Sequence, residues 1–190
     1  MHFLKVYNEK IIKYDLINKF EYNNLENMPK LKKITLNFGC KNFEIRKFAT
    51  VLLALEIIAL KKSTLTIAKT PNLLLKIQKG QPAGCKVVLK KKIMYTFLTR
   101  LLLEMVPKIK NFLGFKMQKK DGCFSFHMLN SEIVLHEFED QFPLFADLPN
   151  LDIHILTTAK TQKELVFLIK SFKFPTFEKI SDKWSSGLRR

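Results

Sequence analysis

The stretch "KKITLNFG", Lys32–Gly39, alternates without a break. Ile34, Leu36 and Phe38 fall on one side of an extended chain, and Lys33, Thr35 and Asn37 on the other. Period-two alternation of this kind predicts a half-buried β-strand with one face in a core and a polar outer face. The same division returns in "CKVVLKK", where Cys85, Val87 and Leu89 point one way and Lys86, Val88 and Lys90 the other. "CFSFHML" (123–129), "EIVLHE" (132–137) and "LDIHILTT" (151–158) read as further strands, and "STLTIA" (63–68) and "NLLLKIQ" (72–78) lead into a Gly/Pro knot.

Between these runs the period changes. Ile11, Ile12, Leu16 and Phe20 recur at helical spacing within 8–20, and Pro29 stops anything helical before the first strand. The most apolar helix is expected over 43–60, with Phe48, Val51, Leu52, Leu55 and Ile58 on one side. Another is expected over 92–105, ended by Pro107, and the stretch 106–122 reads as irregular. The last helix opens at Thr161, whose hydroxyl can cap it while Glu164 reaches back in a T-x-x-E box; Pro175 closes it. Hairpins mixed with non-alternating helices predict an α+β fold. Its mainly antiparallel sheet would carry α-helices on one face and leave the other open for RNA. The expected organisation is one domain over 1–175 and a polar tail over 176–190 that orders on meeting a partner.

The chain has 190 residues and is 47% hydrophobic, enough for a real core. Lysine and arginine number 33 against 17 acids, a net charge of +16. That excess calls for a polyanion, with nucleic acid first and an anionic membrane surface second. Only Arg46, Arg100, Arg189 and Arg190 are arginines, so the cations are overwhelmingly lysine. Lysine meets phosphate as a point charge, whereas arginine forks onto base edges. An AT-rich coding sequence explains the same bias equally well, since Phe, Ile and Asn are abundant too. The longest apolar run, "VLLALEIIAL" (51–60), is interrupted by Glu56 and too short to span a bilayer.

The stretch "KIQKGQPAGCKVVL" (76–89) invites a nucleotide-loop reading, which its spacing rejects. Three residues separate Gly80 from Gly84, Cys85 precedes Lys86, Val87 stands where a hydroxyl is needed, and a strand follows instead of a helix. A hairpin loop in which Gly supplies positive φ is preferred, its small residues allowing close approach to RNA. Cys40, Cys85 and Cys123 have neither disulfide nor zinc spacing, and Cys123 with His127 reads as an ordinary strand pair. His2, His136 and His154 fit no metal motif, and no catalytic constellation emerges; no enzyme activity and no cofactor or metal is expected.

Four ordered blocks carry a resemblance: "MPKLKKITLNFG", "KIQKGQPAGCKVVL", "FLTRLLLEMVPKIKNFLGF" and "LDIHILTTAKTQKELVFLIKSFKFP". Over about Asn8 to Pro175 the chain resembles universal ribosomal protein number five of the large subunit, bacterial type. The resemblance implies a structural constituent of the central protuberance, binding 5S rRNA and adjoining large-subunit rRNA. Its further implied partners are peptidyl-site tRNA, a small-subunit protein across the intersubunit bridge, and neighbouring central-protuberance proteins. Thr35 and Asn37 would belong to the 5S rRNA face, accompanied by Lys33, Lys61, Lys62, Lys86 and Lys90. Lys61 and Val88 replace the Gln and Thr usual in the family. Lys69, Thr70, Pro71, Asn72, Leu73, Lys76, Gln78 and Lys79 would form a tRNA-proximal hairpin. Glu137, Glu139 and Asp140 are the subunit-bridge candidates. A general RNA-binding module or RNA chaperone off the ribosome is the alternative. The Phe- and Lys-heavy composition and the absence of a transit pattern point to synthesis inside an organelle, a mitochondrion first, with another organelle or a bacterial cytoplasm as alternatives.

Overall fold

The computed structural model describes residues 3–22, 24–40, 45–73, 77–109, 112, 114–116, 122–130, 133, 138 and 142–177. A long N-terminal helix, α1, runs continuously as Phe3–Tyr7, a wider π-type turn Asn8–Ile12, and Lys13–Lys19. It begins five residues before the stretch expected from apolar spacing, because Leu4 extends the buried stripe of Ile12 and Leu16. Strand β1, Leu31–Gly39, follows, then α2, Ile45–Ala59. The hairpin strands are β2, Thr64–Ile67, and β3, Pro82–Leu89. Helix α3, Lys91–Arg100, continues through a π-type stretch to Met105 and a single tight turn, Val106–Lys108. The remaining elements are β4 (Phe115–Lys116), β5 (Cys123–Met128), α4 (Phe142–Phe145), β6 (Leu151–Thr157), α5 (Gln162–Ser171) and β7 (Thr176–Phe177).

Five strands form one antiparallel sheet in the order β2-β3-β1-β6-β5, so the α+β expectation holds. The alternation seen in the sequence is the burial pattern of the strands. Ile34, Leu36 and Phe38 of β1, Cys85, Val87 and Leu89 of β3, and Leu151, Ile153 and Ile155 of β6 all enter one core with the helices. Each fully buried Leu, Ile or Phe contributes roughly 1.5–3 kcal/mol relative to exposure, so this face sets the register. The helical layer is tied internally by Arg100 Nη1 donating to the Ile57 carbonyl at 3.0 Å and Asn8 Nδ2 donating to Tyr95 Oη at 3.2 Å.

The Phe richness is used at one end of the core. Phe115, Phe124, Phe126 and Phe174 pack with ring centroids 4.0–6.4 Å apart. Phe174 reaches this cluster through the exit turn of α5. There Lys173 N–H donates to the Lys170 carbonyl at 2.8 Å and Phe174 N–H to the Ile169 carbonyl at 3.4 Å. These are the two bonds of a Schellman turn, and Lys173 holds its left-handed position at φ 61 where glycine is usual. Leu60 (φ 51) and Lys91 (φ 53) occupy left-handed conformations at the end of α2 and the start of α3. Beyond Pro175, Thr176 and Phe177 pair in parallel with Phe115 and Lys116. The expected capping box is present: Thr161 Oγ1 accepts from Glu164 N–H at 3.3 Å, and Glu164 Oε2 accepts from Thr161 N–H at 3.3 Å.

The Gly/Pro knot is split between two roles. Gln78–Gln81 is a turn closed by Gln81 N–H to the Gln78 carbonyl at 3.2 Å, and Gly80 at φ 89 supplies the positive φ that a type II turn demands. Gly84, by contrast, lies inside β3 instead of in a loop. A Cβ there would run into the Phe38 carbonyl oxygen, so glycine lets β3 lie close against β1. The hairpin tip is therefore further out. Asn72 and Ile77 bridge with bonds of 2.9 and 3.1 Å, and Leu73 beside them is 93% exposed.

Candidate nucleic-acid interface

The face of the sheet turned away from the helices follows from the register. Thr64, Lys86, Asn37, Asp152 and His127 are direct partners in successive strands and form one row across all five. A parallel row comprises Val88, Thr35, His154 and Ser125, and a third Lys33, Leu156 and Cys123. Thr66 beside Gly84 fills the remaining corner. Thr35, Asn37 and Lys33 are half-buried by their neighbours, whereas Lys86 is exposed. Such a face offers flat, accessible hydroxyl, amide and ammonium groups on a rigid scaffold.

Lysine gathers at the β2–β3–β1 side. Lys61, in the turn after α2, donates from Nζ to the Val88 carbonyl at 2.7 Å and so lies against β3. Lys62 and Lys90 are exposed at the same end. Thr64 Oγ1 donates to the Lys86 carbonyl at 2.9 Å, which pins the edge strand under the lysine. The expected set Lys33, Thr35, Asn37, Lys61, Lys62, Lys86 and Lys90 is thus brought to one side of the molecule. Lys69, Thr70, Pro71, Asn72, Leu73, Gln78 and Lys79 are all exposed along the hairpin arm, away from the rows. Lys76 of the same arm, and the bridge candidates Glu137, Glu139 and Asp140, lie outside the described residues.

The β6–β5 side differs. His127 donates from Nδ1 to Asp152 Oδ1 at 2.6 Å, and His154 Nδ1 lies 2.9 Å from Ser125 Oγ. Cys123 Sγ is 3.4 Å from the same hydroxyl. Thr64, Thr66, Ser125, His127, Asp152 and His154 were not among the expected contact residues, although the alternation of "CFSFHM" and "LDIHILT" places the last four opposite the core. Among the described residues no group of three or more His, Cys, Asp or Glu side chains is arranged to hold a metal. Burial pushes the Cys85 thiol up to about 12, with Cys40 adding to the shift, so this sulfur is a packing group.

A family model, that of the C-terminus of the ribosomal uL5 family, matches residues 82–176, from the start of β3 to the start of β7. Large ribosomal subunit protein uL5m of Reclinomonas americana is 36% identical over 92% of this chain and 98% of its own length. The chain belongs to the ribosomal uL5 family. Its similarity to bacterial members of the family is nearly as high. The uL5 of Nitrosomonas europaea is 34% identical over 90% of this chain and 96% of the relative, and that of Wigglesworthia glossinidia brevipalpis 32% over 88% and 94%. The uL5 family is structural and non-enzymatic, and the pattern of lysine, amide and hydroxyl groups on the open sheet is that of a binding surface.

Proposed function

We propose that this chain is a structural constituent of the large ribosomal subunit, seated in the central protuberance, with the open sheet face against 5S rRNA and adjoining large-subunit rRNA. The observation that carries this is the lysine-rich half of an otherwise neutral sheet face in a protein of the uL5 family. Lys33, Lys61, Lys86 and Lys90 neutralise phosphates and release counterions. Thr35 and Asn37, fixed in the central strand, fit sugar and backbone oxygens, the contacts that set register without reading sequence. The arm from Ala68 to Gln81 extends past the sheet, and its exposed Lys69, Thr70, Pro71, Asn72, Leu73, Gln78 and Lys79 approach peptidyl-site tRNA. Glu137, Glu139 and Asp140 meet a basic small-subunit protein across the bridge. The ribosome concerned is mitochondrial; the Phe- and Lys-rich composition supports this, and a mitochondrial location of the gene is the check.

The test is binding and sedimentation together. The tagged chain is expected to comigrate with large subunits through a gradient, and Asn37→Ala to weaken 5S rRNA retention in a filter-binding titration. Free migration, or unchanged retention by the variant, rejects the assignment of the sheet face.

A further inference from the structure

On the helical side of the domain a groove of about 450 Å³ runs between the end of α1 and α5, lined by Lys19, Phe20, Lys163, Val166, Phe167 and Lys170. Helix α5 buries Leu165, Leu168 and Ile169 in the common core, which leaves Lys163, Val166, Phe167 and Lys170 on its outer stripe at i, i+3, i+4 and i+7. Lys19 Nζ sits 4.2 Å from the Phe167 ring centroid, so that ring face is covered by a long-stemmed cation instead of core atoms. Phe20 meets Phe167 edge-on at 5.7 Å and holds the ring in place. The nearest acid of α5, Glu164, is turned into the capping box.

We propose that this groove binds a single-stranded RNA segment, a second contact on the opposite side of the domain from the sheet face. The chemistry is that of a stacking platform inside an electrostatic funnel. A base takes the place of the Lys19 ammonium over Phe167, and Lys19 moves with Lys163 and Lys170 onto the flanking phosphates. Lys163 and Lys170 are two helical turns apart, about 10 Å along the axis, so they address separate phosphates. The chain's own segment beyond Phe177 is a poor occupant, because Lys179, Lys183, Arg189 and Arg190 outnumber Glu178 and Asp182. The groove takes from the proposed function only the choice of RNA as polyanion.

The experiment measures anisotropy of a labelled oligouridine of about twelve nucleotides on the full chain, with and without saturating unlabelled 5S rRNA. Binding is expected to persist in the presence of 5S rRNA. Lys163→Gln with Lys170→Gln should lower the log–log salt slope for oligouridine by about 1.4, and Phe167→Leu should weaken binding on the order of ten-fold. Circular dichroism checks that these variants fold, and their 5S rRNA affinity should be unchanged. Lys33→Gln with Lys86→Gln should give the converse. The groove assignment is overturned if 5S rRNA displaces oligouridine completely, or if the groove variants bind it as the parent does. It is also overturned if polyglutamate occupies the groove more tightly than RNA. Oligouridine bound without any 5S rRNA binding would sink the sheet-face reading and leave the groove standing; no binding of either RNA sinks both.

Discussion

The open face of the sheet is two surfaces under one alternation rule. On the β2–β3–β1 half, the ammonium groups of Lys33 and Lys86 and the amide of Asn37 face outwards beside Thr35 and Thr64. On the β6–β5 half the polar groups are joined to one another, His127 to Asp152 and His154 to Ser125. The backbone geometry of the two halves is the same. The difference lies in whether a side chain finds its partner within the fold or has to find it elsewhere. Cations on the first half repel one another until a polyanion arrives, whereas the second half is already satisfied and neutralises its own acid.

The comparison can be broken most severely at Gly84, where β3 touches β1. Gly84→Ala is expected to destabilise the chain by about 2 kcal/mol or more, because the methyl meets backbone and a strand must move. Urea unfolding measures it, and a midpoint like the parent's would mean that the lysine half does not depend on that close approach. Next comes the charge itself. Lys33→Gln with Lys86→Gln should lower the salt slope of 5S rRNA binding by about 1.4–1.8 with little change in stability. Asp152→Asn, one strand across, should leave the slope where it was. Asn37→Ala is expected to cost about 1 kcal/mol of RNA binding at constant slope, since a neutral hydrogen bond is lost. The smallest effect belongs to the self-paired half. Ser125 is only 6% exposed, and Ser125→Ala should lower stability by roughly 0.5–1 kcal/mol while RNA affinity stays within error.

Much of this face was legible in the sequence, because a strand with one buried side writes its geometry into every second residue. Ile34, Leu36 and Phe38 announced the core, and Thr35 and Asn37 the outer row. The Thr161 and Glu164 cap was equally readable, since it needs only residues three apart. What stayed hidden depends on contacts between distant segments. "GQPAG" looked like one loop, yet Gly80 makes a turn and Gly84 admits the Phe38 carbonyl from a strand far away in sequence. Nothing local tells these two glycines apart. Likewise "LDIHILTT" announced a strand, but only the order β1-β6-β5 puts Asp152 beside both Asn37 and His127. The parallel pair of Phe115–Lys116 with Thr176–Phe177 is too short to leave a pattern. The helical groove escaped because Lys19 and Phe167 come from opposite ends of the chain.

Leu60, Lys91 and Lys173 hold left-handed backbone positions without being glycine, in a chain that has only six glycines. Each such residue stores on the order of 1 kcal/mol of local strain. Someone who needs the isolated polypeptide for crystallisation or spectroscopy therefore has two obvious places to begin, Leu60→Gly and Lys173→Gly. Both would relax a bend without touching the surfaces assigned to RNA.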